Sequence, residues 1–441
     1  MLRRQYAGLT GCSSIIGVVA GFAAAVFLWS LDRVTQLHWQ HSWLLYLLPL
    51  AGLLSGLASQ YLGGRAEGGT ELILAEIRQP KLGVPVRMAP LVLIGTLITH
   101  LCGGSSGREG TAVQMGGSIA ALLARWLHIP ARDTPLLLAC GMAGGFGAVF
   151  GTPLAGAAFA LEVSGLVRKT EPPIHGFRQL SLAFPPLLLC LVAAVVADRT
   201  VELLSVGHTE YRVAGFTADN GYHHTTAEEF IAQLLFAAKA GLAGALFGLA
   251  AALFTWLRNS IRTALRRYVT SAWLRPVIGA ALLILLVKST SGTSYLGLGV
   301  EASPLRPGDV SICGCLEAAE VGWLSWFWKL LFTAVTVGSG FKGGEVTPLF
   351  FVGAALGNVL GTALSMPPGI LAAMGFVAVF SGAARTPVAC TLMAIEVFGP
   401  ANPAVITISF IFPTAVCCFV AAKLGGPGRI YDSPAVSVVR A

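Results

Sequence analysis

The stretch Gly103-Gly-Ser-Ser-Gly-Arg-Glu-Gly-Thr111 decides the fold class, because a glycine-rich turn with adjacent charged residues runs directly into an apolar segment. A similar arrangement returns later as Gly338-Ser-Gly-Phe-Lys-Gly-Gly-Glu-Val-Thr-Pro348, again followed by an apolar segment. A helix that begins in this way presents unpaired N–H groups and the positive end of its dipole. Both stretches are therefore candidate anion-binding sites.

The composition places most of the chain in a lipid bilayer. Hydrophobic residues make up 55% of the 441 residues and charged residues only 11%, against roughly 25% charged residues in an ordinary soluble domain. Several apolar runs reach the roughly 20 residues that span the hydrocarbon core. They include residues 12–31, 43–62, 180–197, 230–257 and 403–422. We therefore expect an all-α, polytopic membrane protein with the bilayer as its main partner.

The formal net charge of +8 comes from basic residues that fall in groups between the apolar runs. These groups are Arg3 and Arg4, then Arg168, Lys169 and Arg178, then Arg258, Arg262, Arg266, Arg267 and Arg275. The positive-inside rule predicts that they are cytoplasmic, as are both termini, in a multi-pass protein of the inner (plasma) membrane. Short basic connections do not form one basic face, so nucleic-acid binding is not expected.

No residue set indicates a metal, a cofactor or an enzymatic reaction. Cys313 and Cys315 are close in sequence, but no further Cys or His stands at zinc-ligand spacing. His208, His223 and His224 lie in a polar stretch where a solvated loop is expected. Convergent nucleophile and base residues are also lacking, so the chain is not predicted to be an enzyme.

The two halves of the chain repeat each other. Glu109-Gly-Thr111 matches Glu345-Val-Thr347 at an offset of 236 residues, and further matches follow at an offset of 234. These are Gly141, Phe146, Thr152-Pro153 and Glu162-Val163 with Gly375, Phe380, Thr386-Pro387 and Glu396-Val397. The pattern indicates an internal duplication. It predicts a first transmembrane repeat over 1–200, a polar connector over 201–226 and a second repeat over 227–441.

Repeats of this kind are typical of transporters, whose substrate lies near the midplane between discontinuous helices. Several apolar segments here, such as 88–104 and 387–398, are too short or too interrupted by Gly and Pro to span a bilayer alone. Glu109 by itself fits an anion site or a carboxylate that stabilises its own helix start equally well. Two acids, Glu109 and Glu345, at matching intramembrane helix starts favour transport, because intramembrane acids are costly.

A third motif is Glu67-Gly-Gly-Thr-Glu-Leu-Ile73, a short turn before an apolar segment. The hydroxyl of Thr70 would donate a hydrogen bond to an anion, or Thr70 would simply cap its helix.

Together these motifs resemble the CLC family of chloride channels and proton-coupled antiporters over nearly the whole chain. The resemblance implies a fold of two inverted repeats with broken and re-entrant helices, and a homodimer with one anion path per subunit. It gives Glu109 the roles of gate and proton carrier, and it makes Thr70 and Tyr431 anion ligands. The residues Gly107, Arg108 and Gly110 of the GREG motif would complete the anion site.

The departures from the common CLC motifs resemble the fluoride/proton antiporter branch of the family. GREGT replaces GREGP, the GSGIP turn has lost a glycine and its proline, and GGEVTP brings Glu345 and Thr347 into a segment that usually carries a phenylalanine. The inner proton-accepting glutamate of chloride antiporters is replaced by Val163. We therefore expect Glu345 to act as a second acid that relays protons or anions, with Thr347 beside it contacting the ion.

The resulting expectation is a fluoride/proton antiporter that exports fluoride from the cytoplasm and imports protons. HF enters cells as a neutral weak acid and ionises inside, so a proton gradient is a suitable driving force for removing the trapped anion. A chloride/proton antiporter, in which Thr70 coordinates chloride, and a passive anion channel of the same fold remain as alternatives.

Overall fold

The computed structural model describes residues 2–166, 177–215, 227–290, 293–300, 309–317, 321–402, 407–426 and 430–431. Within these ranges the chain is helical and contains no strand, only one isolated pair of bridged residues. The all-α expectation is thus confirmed.

The helices are α1 (Leu2–Gln40), α2 (Leu48–Ala58), α3 (Gly69–Arg78), α4 (Met88–Leu101), α5 (Glu109–Trp126), α6 (Thr134–Phe150), α7 (Pro153–Ser164), α8 (Phe177–Leu203), α9 (Ala227–Tyr268), α10 (Leu274–Thr290), α11 (Ile312–Leu316), α12 (Ser325–Gly338), α13 (Val346–Ala363), α14 (Pro368–Ala384), α15 (Pro387–Phe398) and α16 (Ile408–Leu424). A short π-helical segment, Ser59–Gly63, and a short 3-10 helix, Gly64–Gly68, connect α2 to α3.

The helices differ in their ability to cross a bilayer. Among the described residues, five helical segments are long and apolar enough to span one: Gly8–Gln40, Ser42–Arg78, Phe184–Leu203, Ile231–Tyr268 and Val346–Ala363. Other helices are short. Helix α15 has 12 residues, which is about 18 Å at 1.5 Å per residue, against a hydrocarbon core of about 30 Å. The protein is therefore a multi-pass membrane protein in which some helices end inside the bilayer.

Three pairs of helices have equal lengths in the two halves. Helices α5 and α13 each have 18 residues, α6 and α14 each have 17, and α7 and α15 each have 12. Helix α5 packs on α6, and α13 packs on α14. At both contacts two glycines meet: a Cβ added to Gly116 would lie 2.1 Å from the Gly141 carbonyl oxygen, and one added to Gly353 would lie 1.9 Å from that of Gly375. These backbones touch directly, as at other membrane interfaces rich in small residues.

The structure corrects the pairing of Glu109 with Glu345. Glu109 is the first residue of α5, whereas α13 begins at Val346 and Glu345 precedes it as the N-cap residue. Equal helix lengths therefore align Glu109 with Val346 and Arg108 with Glu345, at an offset of 237 residues. The two acids are not equivalent, because one lies inside its helix and the other lies outside.

The repeated Glu-Val pairs join the two halves. The Glu162 carboxylate, on α7, accepts a hydrogen bond of 2.8 Å from the Ala389 N–H at the start of α15. The Glu396 carboxylate, on α15, accepts hydrogen bonds of 2.8 Å from Leu154 and Ala155 at the start of α7. Each carboxylate satisfies N–H groups that have no partner within their own helix. These acids therefore link the repeats at a distance from the glycine-rich turns.

The structure describes the first part of the predicted connector, residues 201–215. Helix α8 continues to Leu203, and beyond it Tyr211 packs edge-on against Phe376 and Phe398. Residues 216–226, including His223 and His224, lie outside the described residues. The division into 1–200, 201–226 and 227–441 remains a prediction.

We predict that Gly353→Ala destabilises the protein, because the added methyl group has no space against α14 and overpacking costs about 1–3 kcal/mol. Gly11→Ala is the matched control, since a Cβ at that helical glycine meets nothing within 4 Å. The measurement is the fraction of detergent-solubilised protein that survives heating, read by size-exclusion chromatography. Equal survival of the two variants would contradict the packing described for α13 and α14.

Candidate functional site

The two glycine-rich turns meet at the centre of the molecule. Gly107 and Gly344 exchange backbone hydrogen bonds of 2.6 and 2.7 Å, an antiparallel pairing that joins the segments before α5 and α13. A Cβ on Gly107 would lie 2.9 Å from both a Glu109 carboxylate oxygen and a Pro348 side-chain carbon. Glycine at this position allows the starts of the two helices to approach each other.

The Glu109 side chain is fully buried and is held by donors from both repeats. The Thr347 hydroxyl lies 2.5 and 2.6 Å from its two carboxylate oxygens, and the Thr347 N–H donates at 3.0 Å. The Arg108 N–H donates at 3.2 Å, and the Arg108 guanidinium Nε lies 3.3 Å from the carboxylate. Four donor groups therefore converge on one carboxylate.

This arrangement places Glu109 where a free anion would bind. Thr347 is the second residue of α13, so its N–H is one of the unpaired donors of that helix start. The helix dipole contributes about 0.3–1 kcal/mol at such a position, while each hydrogen bond to a charged group contributes about 1.5–3 kcal/mol. The hydrogen bonds thus dominate, and any small anion that replaces the carboxylate must use the same donors.

A cavity of about 600 Å³ is bordered by Arg108, the residue before Glu109. Its lining includes His38, His100 and Arg108, and we call it the histidine cavity. His100 is buried, and its Nε2 lies 3.1 Å from the Ser106 hydroxyl. The neighbouring residue of Glu109 along the chain, Arg108, therefore borders this cavity.

A second cavity, of about 290 Å³, is bordered by residues of both glycine-rich turns and of α9. It is lined by Arg258, Arg262 and Arg266 of α9, by Gly110, which follows Glu109, and by other residues named below. We call it the arginine cavity. Arg108, which precedes Glu109, borders the histidine cavity, and Gly110, which follows it, borders the arginine cavity.

The structure brings Thr70 and Tyr431 to the arginine cavity. Thr70 is the second residue of α3 and is almost fully buried. Tyr431 is half-buried, with its ring edge-on to Phe159 at 5.9 Å between centroids. Both residues line the same cavity as Gly110, so these predicted anion ligands share one space beside Glu109.

Glu345 also lines the arginine cavity, but it does not touch Glu109 in the described contacts. It precedes α13 and makes no capping hydrogen bond with its side chain. Both of its carboxylate oxygens instead accept hydrogen bonds from Nη1 of Arg258, at 2.8 and 2.9 Å. Glu345 is therefore one half of an ion pair rather than a helix cap.

Arg258 is a site residue that the sequence did not reveal. It follows the apolar run 230–257 and looked like one member of a cytoplasmic basic group, yet it is only 4% exposed. The spacing of Arg258, Arg262 and Arg266 at every fourth residue was the available signal, since it places them on one face of a helix.

The position of the missing inner glutamate is buried. Val163 is 3% exposed, and its carbonyl oxygen accepts a hydrogen bond of 3.0 Å from the Arg78 guanidinium. Arg78 also donates to the carbonyl oxygen of Ser164, at 3.3 Å. A cation thus occupies the C-terminal end of α7, where the helix dipole favours positive charge.

A polar stripe on α12 supports the first glycine-rich turn. The Thr333 hydroxyl lies 3.0 Å from that of Ser105, and the Ser105 N–H donates to the Thr336 hydroxyl at 3.2 Å. One turn earlier, the fully buried Lys329 donates to the carbonyl oxygens of Tyr295 and Gly297, at 3.1 and 2.7 Å. These bonds connect the turn that carries Glu109 to the wall of the histidine cavity.

Within the described part of the chain, no group of three or more His, Cys, Asp or Glu residues is arranged to hold a metal ion. The contacts described above consist of hydrogen-bond donors, guanidinium groups and the carboxylates of Glu109 and Glu345.

Comparison with known proteins agrees with this architecture. The family described as Voltage gated chloride channel matches residues 50–425. A chloride/fluoride channel protein of Pseudomonas syringae pv. tomato is 38% identical over 431 residues, which cover 96% of this chain and 85% of that protein. A H(+)/Cl(-) exchange transporter of Vibrio vulnificus is 27% identical over 418 residues, covering 87% and 80% of the two chains.

Solved structures show the same fold. A crystal structure of a CLC-type fluoride/proton antiporter superposes with a TM-score of 0.80 at 30% identity and covers 96% of this chain and 97% of that one. A slow cyanobacterial Cl-/H+ antiporter superposes with a TM-score of 0.71 at 19% identity, over 96% of each chain.

We predict that Thr347→Val slows anion efflux from liposomes about tenfold or more, because one hydrogen bond to a charged group is lost. Thr347→Ser keeps the hydroxyl and should stay near the wild-type rate. Thr362→Val, at the exposed far end of α13, controls for loss of a threonine hydroxyl from the same helix. If Thr347→Val released anions at the wild-type rate, the Thr347 hydroxyl would not be part of the anion site.

Proposed function

Because the chain belongs to the voltage-gated chloride channel (CLC) family, we propose that it is a fluoride/proton antiporter that exports fluoride from the cytoplasm in exchange for protons. The observation that carries this proposal is the buried Glu109 carboxylate, which Thr347 and Arg108 hold, and whose chain neighbours Arg108 and Gly110 border two different cavities. CLC proteins are channels and transporters, and no enzymatic activity or cofactor is proposed.

The exchange follows from the charge on Glu109. The ionised carboxylate competes with an anion for the Thr347 donors, because both gain from the same hydrogen bonds and the same helix start. A protonated Glu109 loses most of that gain and gives up its place to the anion. Replacement of the carboxylate by an anion is therefore linked to protonation of Glu109. For antiport, that proton must enter from the side to which the anion leaves.

Three observations favour fluoride as the anion. The site offers a hydroxyl and an N–H of Thr347 within 3.0 Å of the carboxylate that occupies it, which suits a small, strongly hydrogen-bonding ion. The Pseudomonas relative is described as a chloride/fluoride channel protein. The superposed structure at 30% identity is that of a fluoride/proton antiporter.

Chloride/proton exchange is the second candidate. The observation that favours it is Thr70, whose side chain lines the arginine cavity beside Tyr431. A relative described as a H(+)/Cl(-) exchange transporter matches 87% of the chain. A passive anion path of the same fold would use the same cavities without the proton step at Glu109.

We further propose that the arginine cavity faces the cytoplasm of a cell whose inner membrane holds the protein, with both termini on that side. Arg258, Arg262 and Arg266 then obey the positive-inside rule. Fluoride from the cytoplasm would meet this cavity first, pass Glu109 and leave through the histidine cavity. Thr70, Gly110 and Tyr431 would line its route through the arginine cavity. Gly107 and Arg108 would line the route where it passes Glu109.

The proposal includes a homodimer. Helices α7 and α15 expose Leu154 and Val388, each at 46%, next to the partly exposed carboxylates of Glu396 and Glu162. Carboxylates that face lipid are costly. A second copy that covers this surface would remove both acids from lipid.

We predict that reconstituted liposomes release fluoride at least about tenfold faster than chloride, a difference of roughly 1.4 kcal/mol. Ion-selective electrodes measure the two effluxes from the same vesicle preparation, while a pH probe records proton movement in the opposite direction. Equal efflux of the two ions would leave chloride/proton exchange as the better reading, and efflux without proton movement would indicate a passive path.

We also predict that Glu109→Gln abolishes proton coupling, because the glutamine amide cannot take up and release a proton as the carboxylate does. A fluoride gradient applied to liposomes should then drive no uphill proton movement. Glu317→Gln, on an exposed acid near α11, is the matched control and should couple normally. Uphill proton movement at the wild-type rate in the Glu109→Gln protein would exclude its role as proton carrier.

A further inference from the structure

We propose that Arg258 forms a second anion-binding site, in the arginine cavity, at which fluoride and the Glu345 carboxylate exclude one another. This inference rests on the proposed transport function and gives Glu345 a defined place in it. It adds a guanidinium site to the path, separate from the Thr347 donors around Glu109.

The geometry of the ion pair carries the proposal. Nη1 of Arg258 donates to both carboxylate oxygens of Glu345, at 2.8 and 2.9 Å, and to the Ile430 carbonyl oxygen at 3.1 Å. The Arg258 side chain is 5% exposed and that of Glu345 is 13% exposed. The carboxylate thus occupies the open side of a cation that is otherwise enclosed by protein.

The remaining contacts keep Arg258 in place when Glu345 leaves. Its Nε and Nη2 donate to the Asn259 side-chain oxygen, at 3.2 and 2.9 Å. Ile430, whose carbonyl it binds, is in turn fixed by a backbone hydrogen bond of 3.1 Å to Ala383. A buried cation that loses its only carboxylate partner in the described contacts is costly. An anion that takes the place of Glu345 removes this cost.

The surroundings supply an excess of positive charge. Arg262, Arg266, Arg275 and Lys342 line the same cavity, together with Glu67, Glu71 and the phenol of Tyr431. The Lys342 ammonium pairs with Glu67 at 2.7 Å. Beside Arg258 and Glu345, the other cavity residues therefore include more cations than acids, which raises the local concentration of a small anion.

The two carboxylates then have parallel roles. Glu109 occupies donors that an anion needs at the helix start of α13, and Glu345 occupies donors that an anion needs on Arg258. Tyr431 follows Ile430 in the chain, so Arg258 also sets the position of that predicted anion ligand. An ion arriving in the arginine cavity meets the Arg258 site beside Thr70 and Tyr431.

The test compares fluoride binding by wild type, a Glu345 variant and a double variant, measured by calorimetry on the purified full-length protein. Glu345→Gln should bind fluoride about tenfold more tightly than wild type, because Arg258 loses its competing carboxylate. The double variant Arg258→Gln, Glu345→Gln should lose that gain. The double variant removes both members of the ion pair, so neither charge is left buried without its partner, and we expect it to fold.

Arg267→Gln in the Glu345→Gln background is the matched control, because Arg267 is an exposed residue of the same helix outside the arginine cavity. It should keep the full gain in affinity. Unchanged affinity in Glu345→Gln, or a gain that survives the loss of Arg258, would overturn the proposal.

Chloride titrations of the same variants separate this inference from the proposed function. If chloride shows the dependence on Arg258 and fluoride does not, the Arg258 site holds chloride and this inference is wrong, while fluoride transport is still decided by the efflux measurement in liposomes. If fluoride affinity rises in Glu345→Gln and the rise is lost in the double variant, while liposomes show no proton coupling, the Arg258 site is supported and antiport is wrong.

Discussion

The burial of the Glu109 carboxylate is the constraint on which the centre of the molecule depends. A fully buried carboxylate is tolerated only with several donors, and no single helix provides them here. Thr347 supplies a hydroxyl and an N–H from the other repeat, within 3.0 Å. The two helix starts must therefore face each other, and the exchanged hydrogen bonds between Gly107 and Gly344 hold them there.

Away from Glu109, the two repeats are also joined by carboxylates that accept hydrogen bonds from helix-start N–H groups of the other repeat. The carboxylates of Glu162 and Glu396 satisfy the first N–H groups of the helices opposite them. The equivalent rings of Phe146 and Phe380 stack at 6.4 Å between centroids. Unpaired N–H groups at helix starts inside a membrane need partners, because no water is present to supply them. Reciprocal pairing between two similar halves satisfies both sets at once.

The distribution of charge then divides the path into two environments. The arginine cavity contains a concentration of guanidinium groups, whereas the histidine cavity is bordered by Arg108, His38 and His100. Glu109, whose chain neighbours Arg108 and Gly110 border the two cavities, is itself fully buried. Under the proposed function, an anion crosses by taking over donors that the Glu109 carboxylate already uses, which would link its movement to that of a proton.

The sequence by itself determined the helical membrane fold and the two glycine-rich helix starts, through apolar length and glycine before a helix. Glu109 was singled out as an acid where water is scarce, whereas the anion-ligand roles of Thr70 and Tyr431 were predicted from the resemblance to the CLC family. It placed Glu345 opposite Glu109, and the structure moved that alignment by one residue.

Only the tertiary structure decided which groups meet. Arg258 binds Glu345 across 87 positions of the chain, and Thr347 binds Glu109 across 238. Side-chain partners at such separations depend on how whole helices pack, and helix packing is set by many contacts that no local pattern records. For the same reason Arg258 looked like a solvated surface charge in the sequence, whereas it is a buried cation beside the proposed anion path.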